Sequence, residues 1–266
     1  MVINVLHLGL VSYGTALGLQ RTLMELRKAG SIGNTLLLLE HPPVITLGRN
    51  ARLANVLASP EFLAQRGVEL FEIDRGGDVT FHGPGQLVAY PIFDLRSFEP
   101  KIGAVEFVRR LEEVLIRTSG DFGIGTQRIK GMTGVWTYAL RKKPEAKIAA
   151  IGVHISRGVT THGFALNVAT DLDFFSLIVP CGLTGKPVTS IQNELLRSVT
   201  VDEVVPAASR NFGRVFNSQM LWLESLDDLT EEAASGSGKS EPANQDTPAR
   251  PPKELRQLHG DRSELA

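Results

Sequence analysis

Cys181 is the only cysteine in 266 residues, so neither an internal disulfide nor a multi-thiolate zinc site can hold this chain together. Stability has to come from burial, and a 42% hydrophobic content is enough for one sizeable core or two small ones. The unpaired thiol also points to a reducing compartment, and its chemistry divides in two. It is either an inert small hydrophobe or a reactive group. A formal net charge of -1 offers no general attraction to nucleic acid or to an anionic membrane. No Asp, Glu, Lys or Arg precedes Arg21, which raises the question of a leader or a membrane helix. The early positive charge of a leader is missing, and Asn4, His7, three glycines and Gln20 interrupt the apolar run. The expectation is a cytoplasmic protein without a membrane span.

Periodicity orders the rest. "VINVLHLGL" reads as a strand, and Leu19, Leu23, Met24 and Leu26 then recur at helical spacing as far as Gly30. In "NTLLLLEHPPVITLG", Pro42 and Pro43 break an apolar stretch into two strands. Ser59 followed by Pro60 predicts a short helix to Arg66, with the strand "VELFEID" after it. Ile102, Val105, Val108, Leu111, Leu115 and Ile116 predict a helix over 101–119 with one buried face, and a companion helix is expected over 201–217. "GVWTYAL" and "KIAAIGVHIS", joined by "RKKPEA", predict a hairpin; "THGFALNV" and "FFSLIVP" read as further strands. From about Thr230 the composition turns to Ser, Gly, Pro, Glu and Lys. Residues 1–230 are therefore expected to form one folded domain and 231–266 a disordered tail. Helices and hairpins without regular alternation predict an α+β fold with a mixed β-sheet packed by helices.

Three places carry candidate chemistry. In "RGGDVTFHGPGQLVAYP", residues 75–91, four glycines and Pro84 interrupt a strand-like pattern. Such a loop is either a plain hairpin turn or a cradle presenting N–H groups to a ligand, and Arg75 and His82 tilt it toward the second. Cys181 follows an apolar run and sits between Pro180 and Gly182. A strand end in a glycine-flanked turn exposes sulfur and leaves N–H groups available to an oxyanion. Lys147 opens the second hairpin strand, where positions 147, 149, 151, 153 and 155 share the more apolar face. It either snorkels to water or, once desolvated, exchanges protons; near a thiol its charge favours the thiolate. Arg141, Lys142 and Lys143 form a basic run that is either a solvated loop or a contact for an acidic protein. "GLTGKPV" lacks phosphate-loop spacing and "GIGTQR" stops short of a dinucleotide fingerprint, so nucleotide binding gains no support.

Taken in order, "LLLLEHPPVITLGR", "RGGDVTFHGPGQLVAYPI", "KIAAIGVHISRGVTTHGFALNV" and "VPCGLTGKPVTSI" resemble the lipoyl(octanoyl) transferase family over roughly residues 5–220. The resemblance implies the biotin/lipoate protein ligase-like fold. It implies transfer of an octanoyl group from acyl carrier protein to a specific lysine on lipoyl domains of 2-oxoacid dehydrogenases and the glycine-cleavage H protein. It places the acyl-accepting nucleophile at Cys181 and its partner at Lys147. Substrate binding is implied at Arg75, Gly76, Gly77, Asp78, Val79, Thr80, Phe81 and His82, at Ala150, Ile151 and Gly152, and at Gly163, Phe164 and Ala165. Asp78 and Phe81 stand where the family often has Gln and Tyr. No metal and no cofactor is implied, since the acyl group arrives on the carrier's phosphopantetheine, and no nucleic acid or membrane partner is expected. Two other functions share parts of this pattern: an ATP-dependent lipoate or biotin ligase, and a non-catalytic module binding acyl chains or carrier protein.

Overall fold

The computed structural model describes residues 1–139, 143–179 and 186–229. Among the described residues, eleven strands fall into two sheets. The larger is eight-stranded, in the order β11-β1-β2-β6-β10-β9-β8-β7, and the smaller is β4-β3-β5. β1 (Val2–Leu10) pairs in parallel with both β2 (Asn34–Glu40) and β11 (Gln219–Trp222). The remaining neighbours are antiparallel: β6 (Gln86–Ile92), β10 (Val159–Asn167), β9 (Lys147–Ser156), β8 (Met132–Thr137) and β7 (Thr126–Ile129). This is the expected mixed sheet. The second sheet was not expected. Pro42 and Pro43 carry the chain out of β2, and β3 (Val44–Leu47) then pairs with β4 (Glu69–Glu72) and β5 (Val79–His82).

Two helical layers cover the large sheet. α1 (Tyr13–Lys28) begins at Ser12, whose side chain accepts from the Thr15 N–H, and buries Ala16, Leu19 and Leu23 against Leu37, Leu39, Val88 and Tyr90. On the opposite face, α3 (Ala104–Asp121) and α5 (Val201–Phe216) lie over Ile3, Leu38, Leu87, Phe93 and Leu166. A capping box between Thr200 and Glu203 starts α5. The side chains on this face are large and fully covered, each contributing roughly 1.5–3 kcal/mol by burial. The short helices α2 (Pro60–Gln65) and α4 (Ile191–Leu195) have serine N-caps, at Ser59 as expected and at Ser190.

Several expectations are corrected. Val105 is 76% exposed, because the buried face of α3 runs through Phe107, Leu111, Val114, Leu115 and Thr118 and position 105 falls off it. "FFSLIVP" is not a strand: Leu172–Leu177 is a 3-10 helix, capped by Asp171 on the Asp173 N–H. Phe174 and Phe175 turn back onto Phe81, at 4.8 and 5.6 Å between ring centroids, and only Ile178 makes a β-bridge, to Val56. Within the basic run, Lys143 is exposed and paired with Glu194 at 2.7 Å. The rest of that basic run and the tail beyond Leu229 lie outside the described residues. Among the described residues no helix is long and apolar enough to cross a membrane.

Candidate active site

The small sheet meets the α1-side face of the large one, and a pocket opens between them. β5 supplies it by alternation: Thr80 and His82 line the pocket, while Val79 and Phe81 point into a separate core with Ile45, Leu63 and Ile178. Arg75, Gly77 and Asp78 line the entrance to β5, Ala150–Gly152 come from β9, and Gly163–Ala165 from β10. The three separated stretches implied by the family resemblance therefore converge on one cavity. Gly76, Val79 and Phe81 do not line it. Gly76 instead donates its N–H to the Val153 carbonyl at 3.0 Å, which ties the loop to β9.

Arg75 is buried, yet much of its guanidinium is committed to the protein. Its Nη2 donates to the Thr46 carbonyl at 2.8 Å and to Thr46 Oγ1 at 2.9 Å, and its Nη1 to the Gly76 carbonyl at 3.1 Å. Gly152 makes room for this arrangement, because a Cβ there would meet the Gly76 carbonyl at 2.8 Å and Arg75 Cδ at 3.0 Å. Asp78, the first departure from the family pattern, is held by Asn55 Nδ2 at 2.6 Å. Phe81, the second, faces away from the pocket altogether.

Lining and backing the pocket is a buried polar group from which the sequence reading singled out only His82. His41 donates from Nδ1 to the Val11 carbonyl at 2.6 Å, which leaves Nε2 to accept from the Tyr90 hydroxyl at 2.7 Å. Gln86 spends both N–H bonds on carbonyl oxygens, of Phe81 at 3.2 Å and of Asn167 at 2.9 Å. Its Oε1 therefore accepts from His82 Nδ1 at 2.8 Å, and His82 carries its lone pair on Nε2. Burial pushes His82 down to about 3 and His41 down to about 4, and it holds Tyr90 well above the ordinary phenol range. His162 adopts a left-handed backbone at φ 56° within β10, and Gln20 Oε1 compensates by accepting its N–H at 2.7 Å. Burial lowers the His162 pKa against the opposing pull of Asp74, whose carboxylate accepts from Nε2 at 2.9 Å. Desolvation works to raise Asp74, but the hydrogen bond and charge of His162 outweigh it and hold the carboxyl below its ordinary value.

Two neutral buried histidines make stability depend on pH. In the unfolded chain they titrate near the ordinary 6.5, so that state binds more protons below this pH. Stability is fully present above about 6.5 and is lost as the pH falls toward about 4 for His41 and about 3 for His82, by up to about 1.4 kcal/mol per pH unit for each histidine. Urea unfolding from neutral to mildly acidic pH is expected to show this slope, reduced by about one proton in His82→Gln. Equal slopes in the two proteins would contradict a neutral His82.

Lys147 is 8% exposed, with Nζ 5.4 Å from the centroid of the Trp136 ring. Its predicted face is corrected. Val135 pairs with Ala149 but Trp136 pairs with Lys147, so β9 carries one extra residue at Ile148. Ile148 and Ala149 both enter the core under α3 and α5, while Lys147 opens onto a small cavity with Thr80, Gln86, Ala150 and Asn167. Thr80, Ala150 and Ala165 are shared between that cavity and the main pocket. Gly134 clears the path of the lysine stem, since a Cβ there would meet Lys147 Cε at 2.7 Å. The Lys147 backbone brackets a second segment: its N–H donates to the Pro187 carbonyl and its carbonyl accepts from the Thr189 N–H, both at 2.9 Å. Asn167 Nδ2 holds the Thr189 carbonyl at 3.0 Å. Cys181, six positions before Pro187, lies outside the described residues. Among the described residues no cluster of three or more histidines and carboxylates converges as a metal site.

Fold and pocket together define a chain with a cavity between two sheets; residues 12–213 match the lipoyl protein ligase A/B catalytic domain, and the chain belongs to that family. It is 64% identical over 260 residues to an octanoyltransferase of Koribacter versatilis, covering 98% of each chain. It is 61% identical to an octanoyltransferase of Acidobacterium capsulatum, over 88% of this chain and 98% of the relative. Within the family it is an enzyme of the octanoyltransferase type, and its function is octanoyl transfer in protein lipoylation. The fold is shared with the bipartite lipoate protein ligase of Thermoplasma acidophilum, at a TM-score of 0.67 and 18% identity, over 89% of this chain and 91% of that one.

Proposed function

We propose that the transfer runs through a thioester on Cys181, with Lys147 as its proton and charge partner, from octanoyl-acyl carrier protein to the lysine of a lipoyl domain. In the first half-reaction the Cys181 thiolate adds to the carbonyl of the donor thioester, and the tetrahedral intermediate expels the phosphopantetheine sulfur, which takes its proton from the Lys147 ammonium and departs as a thiol, leaving the Lys147 amine neutral. A new thioester replaces the old one, so activation is conserved and neither ATP nor another cofactor is consumed. In the second half-reaction the neutral ε-amine of the acceptor lysine attacks, an amide forms and the Cys181 thiolate leaves. The proton released by the amine passes to Lys147. The acyl chain occupies the cavity lined by Thr80, His82, Ala150–Gly152 and Gly163–Ala165. Acceptors on this reading are the lipoyl domains of 2-oxoacid dehydrogenases and the glycine-cleavage H protein.

The observation that carries the reading is Lys147: a buried ammonium on a cavity beside the acyl pocket, its backbone paired with the residues that follow Cys181 in the chain. The fold alone is shared with lipoate protein ligases and does not separate thioester chemistry from adenylation. Intact mass spectrometry does. Incubation with octanoyl-carrier is expected to add one octanoyl group to the protein without ATP. Modification of a lipoyl domain only when ATP and free octanoate are supplied would establish the ligase instead, and no adduct with no transfer would leave an acyl-binding module.

A further inference from the structure

The segment from Gly48 to Pro60 is built as a ledge between the pocket rim and the Leu177, Ile178 and Val179 backbone. On its inner side, the N–H groups of Gly48, Arg49 and Asn50 donate to the carbonyls of Asp78, Arg75 and Gly77 at 3.0–3.2 Å. The Asp78 carboxylate is turned toward the same segment, accepting from Asn55 Nδ2 at 2.6 Å. At its far end, Leu57 N–H donates to the Leu177 carbonyl at 2.8 Å, Val179 N–H donates to the Asn55 carbonyl at 2.7 Å, and Val56 bridges Ile178. The ledge thus reaches the pocket rim and the Leu177–Val179 backbone through its own backbone; Asn55 turns inward and Ala51, Val56 and Ala58 pack on the small-sheet core, while Arg49, Arg52, Leu53 and Leu57 are exposed.

Those side chains have an unusual composition for a solvated turn. Leu53 is 68% exposed and Leu57 is 61% exposed, and neither joins a described core. Arg49 and Arg52 are exposed, and among the described residues neither guanidinium takes part in an ion pair. The sequence from Gly48 to Pro60 contains no Asp or Glu, so nothing within the segment offsets the two positive charges. Apolar contacts ringed by unpaired arginines suit a protein surface that is acidic and offers a phosphate, because guanidinium groups pair with carboxylate and phosphate oxygens in a fixed fork geometry.

We infer that this ledge is the docking surface for the acyl carrier, with Arg49 and Arg52 meeting the phosphodiester of its prosthetic arm and acidic side chains beside it, and Leu53 and Leu57 covering an apolar patch. The inference rests on the carrier being the octanoyl donor. The donor has to be a macromolecule whose acyl arm is anchored through a phosphodiester close to the protein surface. A ledge at the mouth of the acyl pocket is where that anchor stops while the arm threads inward. The lipoyl domain, the competing partner, presents a lysine, and two arginines would repel its ammonium.

The test separates docking from chemistry. Binding of octanoyl-carrier is measured by calorimetry, and acylation of the protein by intact mass, for the wild type and for the double variant Arg49→Glu with Arg52→Glu. Carrier affinity and the second-order acylation rate are expected to fall about tenfold or more in the variant, and the salt dependence seen in the wild type is expected to flatten. Acylation by octanoyl-pantetheine, which has neither protein nor phosphate, is expected to be unchanged, as is transfer from preformed acyl-enzyme to a lipoyl domain. Leu53→Ser with Leu57→Ser is expected to weaken the carrier without changing the salt slope. Unchanged carrier binding in both variants, equal loss with octanoyl-pantetheine, or a loss confined to the lipoyl-domain step would each overturn the assignment. Should the carrier bind the wild type and lose affinity in the variant while no adduct forms, the ledge stands and the thioester reading falls.

Discussion

Cys181→Ser forms no octanoyl adduct on exposure to octanoyl-carrier and modifies lipoyl domain at a rate reduced at least about a thousandfold, as expected when a nucleophile is removed. The reason is chemical. A thiol near neutral pH supplies a useful fraction of thiolate, and a neighbouring ammonium increases it, whereas a serine hydroxyl stays protonated and no histidine base is engaged with it in this scheme. The thioester formed on sulfur keeps the reactivity of the donor. An ester on oxygen would hold the acyl group too firmly for the second half-reaction. The measurement is intact mass together with lipoyl-domain modification, with unchanged thermal unfolding as the control that separates lost chemistry from lost fold. Persistence of the adduct in the serine variant would move the acyl group to another side chain and end the proposal.

Lys147→Met slows both half-reactions by about a hundredfold to ten-thousandfold, the range spanned by a positioned acid–base group. Methionine keeps most of the apolar stem that lies against Gly134 and Trp136, so the change removes the charge and little of the packing. Rates of acylation and of transfer measured separately, with thermal unfolding alongside, check this, and near-normal rates would take Lys147 out of the mechanism. Gly134→Ala gives a second reading of the same residue. Its Cβ would meet the lysine stem 2.7 Å away, and the backbone there has a φ of 120° that alanine resists, so transfer is expected to weaken even with Lys147 intact.

Much of this architecture was legible in the sequence because amphipathic period reports burial directly. α5 follows from Val201, Val204, Val205, Ala208 and Phe212 falling on one helical face, and the split of β2 from β3 follows from Pro42 and Pro43. What period cannot say is which partner covers a face. The separation of β3, β4 and β5 into their own sheet was therefore not foreseen, and the apolar run at 174–178 was mistaken for a strand. A short apolar run has no period of its own, and the decision there was made by Phe81 stacking on Phe174. In the site, the pocket stretches were named as whole blocks, although the alternation of β5 was already enough to set Val79 and Phe81 apart from Thr80 and His82. Gln86 and Asn167 were passed over, yet each is a buried amide at the end of an apolar strand, and such a group must spend its hydrogen bonds somewhere. The face of Lys147 could not be read from alternation, because the extra residue at Ile148 arises from pairing with β8 rather than from any local pattern.

That extra residue also guards the assembly of the sheet. A strand that slips by one position exchanges its two faces, and apolar hairpins have little to forbid the slip when both faces are greasy. In β9, sliding against β8 to erase the bulge would carry the Lys147 ammonium toward Ile148's place among the phenylalanines under α3 and α5, at a cost of several kcal/mol for an unpaired charge. The side chain assigned to the chemistry thereby doubles as a register pin, and a misaligned sheet is penalised before it can trap the folding chain.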